Sequence, residues 1–552
     1  MSDPPLVLEL DLTEPVITVP PTDRLDAIRA RRRVRLGEIV DGLRRAASDE
    51  RVAGLLAKIG GMPCGLATAQ EIRSAVVAFR ATGRFAIAWS ETFGEFAAGT
   101  VGYYLATAFD RIVLGESGDV GLLGVGGRAF FIRDALERVG VRAEMGQRHE
   151  YKNAANTFTR SGLTEAHREA LDAVVASFAD QIVAGVATAR GCSAAEVREL
   201  IDRAPLSAAE ALAAGLVDRV GYRDEVYAGV RAQVGGEVEL RYVHRYKPAP
   251  ATAVAQRVRS RRSRHVGVVY IAGAITTGRS GNQPIGGARA GSDTVAAALR
   301  AAVRDDDVTA IVVRVESPGG SYVASDTIRR EVVLARRAGK PVVVSMGEVA
   351  GSGGYFVSMA ARVILAAPAT ITGSIGVFGG KAVIDRVLER AGVGVEAVSR
   401  GAHALMFSAR WPFSDDERAL LDRWLDRVYD DFTAKVAADR AMSRARVHEI
   451  ARGRIWTGAD ARDRGLVDDL GGFADAIALA RRRGGLPARD DLADVRVFPQ
   501  LPVKDRVRRP QSSEHPGAAA MRLSAWGRFA PLAAALGLPA AGPLTMPPLD
   551  LR

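Results

Sequence analysis

The sequence predicts an α/β fold made of two tandem copies of one βαβ domain, each with a mainly parallel sheet. Three observations carry that expectation. The first is length: 552 residues exceed what a single hydrophobic core holds. The second is self-similarity. Gly99-Thr100-Val101-Gly102-Tyr103-Tyr104 recurs as Gly351-Ser352-Gly353-Gly354-Tyr355-Phe356. Gly121-Leu122-Leu123-Gly124-Val125 recurs as Gly373-Ser374-Ile375-Gly376-Val377, and Gly215-Leu216-Val217-Asp218 as Gly465-Leu466-Val467-Asp468. Three blocks in one order, at offsets of 250 to 252 residues, mark an internal duplication. The third is alternation: apolar runs of strand length alternate with stretches of helical periodicity, the pattern of βαβ units.

Copy one is expected over residues 1–245. It reads as a strand at 6–10, an amphipathic helix over 36–47, a buried strand at 52–59, a helix over 67–82 and a strand at 85–89. A long helix over 164–190 follows. Residues 246–264 read as a linker, with Lys247-Pro248-Ala249-Pro250 and then five arginines from Arg257 to Arg264. That basic run is solvated or faces acidic lipid headgroups. Copy two, 265–490, repeats the scheme: strand 266–271, helix 293–304, strand 310–315, a turn at Ser317-Pro318-Gly319-Gly320, helix 325–338 and strand 341–345. The turn at Gly351 then opens a helix near Tyr355, and 414–440 matches the helix at 164–190. Residues 491–552 are rich in Pro, Ala and Arg and are expected to be irregular.

A hydrophobic content of 48% with 25% charged residues is that of an ordinary globular protein. Cys64 and Cys192 form neither a CxxC pair nor a disulfide framework. Seven scattered histidines contain no HExxH, so neither a metal nor another cofactor is expected. The net charge of +11 comes from 68 arginines and only 7 lysines, a codon-like bias that points to no nucleic-acid partner. Residues 1–21 have no basic segment followed by an apolar run, so no signal peptide or N-terminal anchor is expected. The apolar stretch 529–546 is broken by Pro531, Pro539 and Pro543 and makes a poor transmembrane helix. It reads as a loose tail, disordered or touching a membrane or partner.

The copies differ where chemistry would lie. Ser352 stands in a glycine-rich strand-to-helix turn where copy one has Thr100. Such a turn exposes a hydroxyl and leaves backbone N–H groups, among them that of Gly353, free to meet an oxyanion. Ser317-Pro318-Gly319-Gly320 ends the preceding buried strand and offers a second donor; copy one has Gly60-Gly61-Met62-Pro63-Cys64 there. Either turn alone is no more than a tight turn. A serine nucleophile also needs a base, and no histidine lies near either turn in sequence. A lysine serves only when neutral, and at an ordinary pKa of about 10.4 only a few molecules in about ten thousand are neutral at pH 7. Arginine cannot lose its proton at all. In a chain that so strongly favours arginine, Lys152 in Glu150-Tyr151-Lys152-Asn153-Ala154 is a candidate, though spacing alone fits a surface lysine equally well. The matching stretch of copy two, around His403, has no lysine.

Taken together, the Ser317, Gly351 and Thr372-Gly373-Ser374-Ile375-Gly376-Val377 segments resemble the signature of the signal peptide peptidase A (protease IV) family of serine peptidases. Glu150-Tyr151-Lys152-Asn153-Ala154 resembles that family's lysine motif, and the likeness to the long, duplicated form spans roughly 5–485. The resemblance implies a crotonase/Clp-protease-like fold and a Ser–Lys dyad divided between the copies. Ser352 would be the nucleophile, Lys152 the general base and Ser374, replaced by Leu122 in copy one, the hydroxyl that orients the lysine. Gly353, Gly319 and Gly320 would form the oxyanion site. It implies apolar peptide substrates such as cleaved signal peptides, and a homo-oligomer, with a tetramer one form. It further implies a bacterial location at the membrane, by peripheral contact, or in the cytoplasm. Many duplicated members carry an N-terminal transmembrane anchor, and none is expected from residues 1–21 here.

Two other readings stand at this point. A crotonase-type acyl-CoA hydratase or isomerase would share the glycine turns but needs catalytic carboxylates, for which Glu348 is the one tempting residue. A non-catalytic membrane-associated scaffold would retain only the fold. Should Lys152 fail as the base, Lys381 is the next lysine to consider. A Ser352 Oγ to Lys152 Nζ separation of about 2.6–3.2 Å would favour the dyad.

Overall fold

Parallel strands covered on both faces need side chains that are apolar on both sides, and the central runs supply them. Ala310, Ile311, Val312, Val313 and Val315 are all fully buried. In the computed structural model, which describes residues 4–20, 33–61, 63–95, 97–247, 264–283, 287–487, 495–499, 544–545 and 550–551, these strands form two sheets of one design. The sheet of copy one runs in the order Glu239–Tyr242, Leu6–Leu12, Val52–Ile59, Phe85–Ser90, Arg111–Leu114, Arg219–Val220, every neighbouring pair parallel. Copy two repeats that order with Val495–Phe498, His265–Ala272, Val308–Ser317, Val342–Gly351, Val363–Ala366 and Asp469–Leu470, again all parallel. The expected fold class, α/β in two tandem copies, is what the structure shows.

One boundary moves. Val495–Phe498 falls in the stretch expected to be irregular from 491, yet it is the edge strand of copy two, the counterpart of Glu239–Tyr242 in copy one. A four-residue edge strand takes its order from its partner, His265–Ala272, rather than from its own periodicity. Most of the expected linker 246–264 and most of the tail lie outside the described residues. Two short pieces of the tail are described: Leu544–Thr545 pairs antiparallel with Gly319–Gly320, and Asp550–Leu551 with Gly127–Arg128.

The duplication extends to single interactions. Tyr103 donates its hydroxyl to Leu216 O at 2.7 Å, and Tyr355 does the same to Leu466 O at 3.1 Å. Asp218 accepts from Ile112 N and pairs with Arg190; Asp468 accepts from Ile364 N and pairs with Arg440. The Gly-Leu-Val-Asp block therefore recurs because its aspartate ties the amide of one strand's second residue to the long helix beside it. That helix, Glu165–Arg190, is long and apolar enough to cross a membrane by length and composition; here eight of its side chains are buried.

The copies are joined through charged groups as well as strands. Arg142–Gln147 of copy one pairs antiparallel with Phe378–Val383 of copy two. Arg314 donates to Glu71 across the junction at 2.7 Å, with both side chains buried. Glu71 also accepts from Phe473 N at 2.6 Å. Removing one member of such a pair leaves an uncompensated buried charge, so Glu71→Ala is expected to cost about 3–5 kcal/mol, read as a lower urea midpoint. An unchanged midpoint would show that the junction does not depend on this pair.

Candidate active site

Ser352 follows directly from the end of the strand Val342–Gly351. Its N–H donates to Gly373 O at 2.8 Å, and it takes φ 53°, ψ −108°, a backbone region that L-residues rarely adopt. Gly353 after it has no room for a side chain: a Cβ there would lie 2.8 Å from Ser325 Oγ and 3.0 Å from Gly320 N. The turn at Ser317 therefore sits directly on the turn at Ser352, and the amides of Gly320 and Gly353 are neighbours. Gly319, an expected oxyanion donor, gives its N–H to Ser317 Oγ at 3.1 Å. The strand bulge before Ser352 is pinned by Glu316, whose carboxylate accepts from Glu348 N and Val349 N, each at 3.2 Å. Burial pushes the Glu316 carboxyl up to about 7, against the pull of Arg314.

Lys152 reaches this turn from the other copy. Its loop leaves the strand Arg142–Gln147 and is stitched to the Ser374 segment by the Arg148 N–H, which donates to Val377 O at 2.9 Å. Lys152 Nζ lies 2.8 Å from Ser352 Oγ, 2.9 Å from Ser374 O and 3.0 Å from Ser374 Oγ. Lys152, Ser352 and Ser374 are all 0% exposed. Burial alone holds the Lys152 amine well below its ordinary value. Ser374 also has a left-handed backbone, φ 50°, and its N–H donates to Arg454 O at 2.7 Å.

A neutral amine has two hydrogens and one lone pair. Ser374 O can only accept, so it takes one hydrogen; Ser374 Oγ can take the other. The lone pair is then left facing Ser352 Oγ, the arrangement a general base needs. Among the described residues of copy one nothing comparable is found. Thr100 lies within a helix without a left-handed backbone, its hydroxyl donates to Gly124 O at 3.1 Å, and buried Leu122 stands where Ser374 would be.

The other candidates lie elsewhere. Glu348, required by the hydratase reading, caps the helix Leu66–Arg80 of copy one, accepting from Ala67 N at 3.3 Å and Thr68 N at 2.7 Å. Its role is structural. Lys381 donates to Met406 O at 2.6 Å and lies over the Phe413 ring.

A strained serine against a buried amine, on a duplicated α/β frame, is the architecture of a hydrolase that works through a serine. The profile of Peptidase family S49 matches residues 92–236 and 334–486, one block in each copy. "Protease 4" of Salmonella typhi is 31% identical over 454 residues, covering 81% of this chain and 71% of that protein. The "Serine protease SPPA, chloroplastic" of Arabidopsis thaliana is 29% identical over 455 residues, 82% of this chain and 66% of that protein, so just under two thirds of that relative is spanned. Among solved structures, a ClpP1 mutant from Listeria monocytogenes aligns with 41% of this chain at 16% identity and a TM-score of 0.24, too low to add to the fold described above. The chain belongs to peptidase family S49, and it is a serine peptidase.

Sequence reasoning did not reach the loop Arg452-Gly453-Arg454. Gly453, at φ 85°, packs its backbone on Lys152: a Cβ there would lie 2.6 Å from Lys152 Cα. The signal was available, since copy one has Arg203 at the matching offset of 250, but a lone glycine after a helix reads as an ordinary stop.

Proposed function

We propose that this serine peptidase uses a Ser352–Lys152 dyad divided between its two copies to hydrolyse extended, apolar peptides such as cleaved signal peptides. The 2.8 Å approach of a wholly buried amine to the strained serine carries the reading. Lys152 takes the proton as Ser352 Oγ attacks the peptide carbonyl. The Gly353 and Gly320 N–H groups face the oxyanion that forms, and Gly319 shapes the turn that aims them. The ammonium, held by Ser374 O and Oγ, then protonates the leaving amine. In the second half-reaction the neutral amine activates water against the acyl-enzyme.

The peptide's geometry is supported by the chain itself. Gly319–Gly320 already accepts an antiparallel strand, Leu544–Thr545. A substrate would bind the same edge by strand addition, with affinity from main-chain hydrogen bonds. A cleft of about 690 Å³ lined by Phe378, Met406, Phe407, Leu420, Leu421 and Trp424 adjoins the Lys152 loop and suits apolar side chains. The reading includes assembly into a homo-oligomer and peripheral membrane contact. Phe130, Val323, Val398 and Phe407, 60–91% exposed, are the apolar side chains such contacts would cover.

The test is a peptide series with Leu/Ala-rich or acidic residues on the acyl side of the scissile bond, cleaved by the full chain and by a chain ending at residue 540. Apolar peptides should have the higher kcat/KM, and equal values would sink the substrate assignment. The shortened chain should show KM lowered by up to about tenfold, about 1.4 kcal/mol, with kcat unchanged, because the edge no longer has its own occupant.

A further inference from the structure

Backbone strain in this molecule is concentrated around the lysine as well as the serine. Among the described residues, five non-glycine positions have positive φ: His149, Ser352, Ser374, Ala441 and Arg452. Ser352 and Ser374 belong to the site. His149, at φ 64°, and Arg452, at φ 54°, belong to neither the dyad nor the oxyanion turns, yet they bracket Lys152 from opposite copies. Such a conformation costs roughly 1–2 kcal/mol per residue and persists only where its surroundings hold it.

The surroundings are specific. The His149 carbonyl accepts the Lys152 N–H at 3.4 Å, so the bend at His149 sets where the lysine starts. The His149 ring lies 4.4 Å from the ring of Tyr429 and 4.9 Å from that of His448. The Arg452 N–H donates to the Tyr429 hydroxyl at 3.4 Å, and that hydroxyl lies 3.1 Å from His448 Nδ1. The Arg452 guanidinium pairs with Glu150, two residues before Lys152. Gly453, next in the chain, closes on the Lys152 backbone.

We propose that His149, Tyr429, His448 and Arg452 form a latch that positions Lys152 on Ser352 and opens when the His149 imidazole takes up a proton. The Tyr429 hydroxyl thus holds the Arg452 N–H and His448 Nδ1 together, and the His149 ring packs against both rings. The charges around His149 give the direction. Protonating His149 sets a cation against the packed rings of Tyr429 and His448, with Arg148 and Arg452 adding repulsion and Glu150 and Asp426 opposing it. Burial, His448 and the arginines hold the His149 imidazole below its ordinary value, so the latch is closed at neutral pH. These are positioning residues; none touches the reacting atoms.

The proposal rests on the Ser352–Lys152 reading, and its test separates the two. His149→Ala, which cannot easily hold a positive φ, should lower kcat at neutral pH about tenfold or more with KM within about twofold. His149→Asn, which tolerates that backbone and does not titrate, should restore kcat to within about threefold. In the parent, log kcat/KM should steepen below about pH 6.5, the histidine range, and His149→Asn should reduce that steepening. Acylation of Lys152 by an amine-reactive ester, followed by peptide mass mapping, reads the latch without turnover. The amine should be protected in the parent and in His149→Asn and modified in His149→Ala. Unchanged protection in His149→Ala overturns the latch. Lost protection with unchanged turnover keeps the latch and removes Lys152 from the reaction.

Discussion

Ser352→Ala is expected to lower kcat/KM by about four orders of magnitude or more, the scale on which loss of a serine nucleophile acts. The fold should survive, because the substitution deletes one hydroxyl. Alanine must still hold the left-handed backbone, a strain shared by serine. Lys152 keeps its two contacts with Ser374. Covalent labelling by a fluorophosphonate should disappear with turnover. The paired control is Thr100→Ala, which loses the bond to Gly124 O and one buried methyl and should leave turnover within about twofold. Inactivation by Thr100→Ala with an active Ser352→Ala would reverse the roles of the copies.

Lys152→Arg should be as inactive as Lys152→Ala, since the site needs a neutral amine and a guanidinium stays charged. In the parent, kcat/KM should rise with pH through the depressed amine pKa as the lysine loses its proton. The same shift appears in stability, with a definite sign. Folding favours the neutral amine, so between its depressed native value and about 10.4 the unfolded chain holds one more proton than the folded one. Stability relative to Lys152→Met should therefore rise with pH across that window by about 1.4 kcal/mol per pH unit, and level off above it. Urea titrations of the two proteins at several pH values measure the difference. A flat difference would mean that Lys152 titrates alike in both states. Turnover by Lys152→Arg would place the base elsewhere.

What could be read beforehand follows from where the constraints lie. The two sheets and the Ser352 turn were legible because the copies can be compared position by position: Thr100 against Ser352 and Leu122 against Ser374 isolate the chemistry from the frame. Lys152 stood out against the arginine bias. The latch was not legible, because left-handed backbone at His149 and Arg452 is imposed by tertiary contacts from helices Asp415–Asp439 and Arg444–Ile450 rather than by residue type. The N–H of Gly319 was assigned to the oxyanion because spacing cannot reveal that Ser317 Oγ takes it. The edge strand Val495–Phe498 was hidden among residues of irregular composition because its order comes from its parallel partner.

The division of one amine and one hydroxyl between two copies also sets a stoichiometry. If Ser352 and Lys152 are the reacting pair, a chain of two domains holds one complete reaction centre, and an active-site titrant should release a burst of one equivalent per 552 residues, not two. Neither domain produced alone would carry out the reaction, and mixing the two halves would restore it only as far as the strand pair Arg142–Gln147 and Phe378–Val383 reforms.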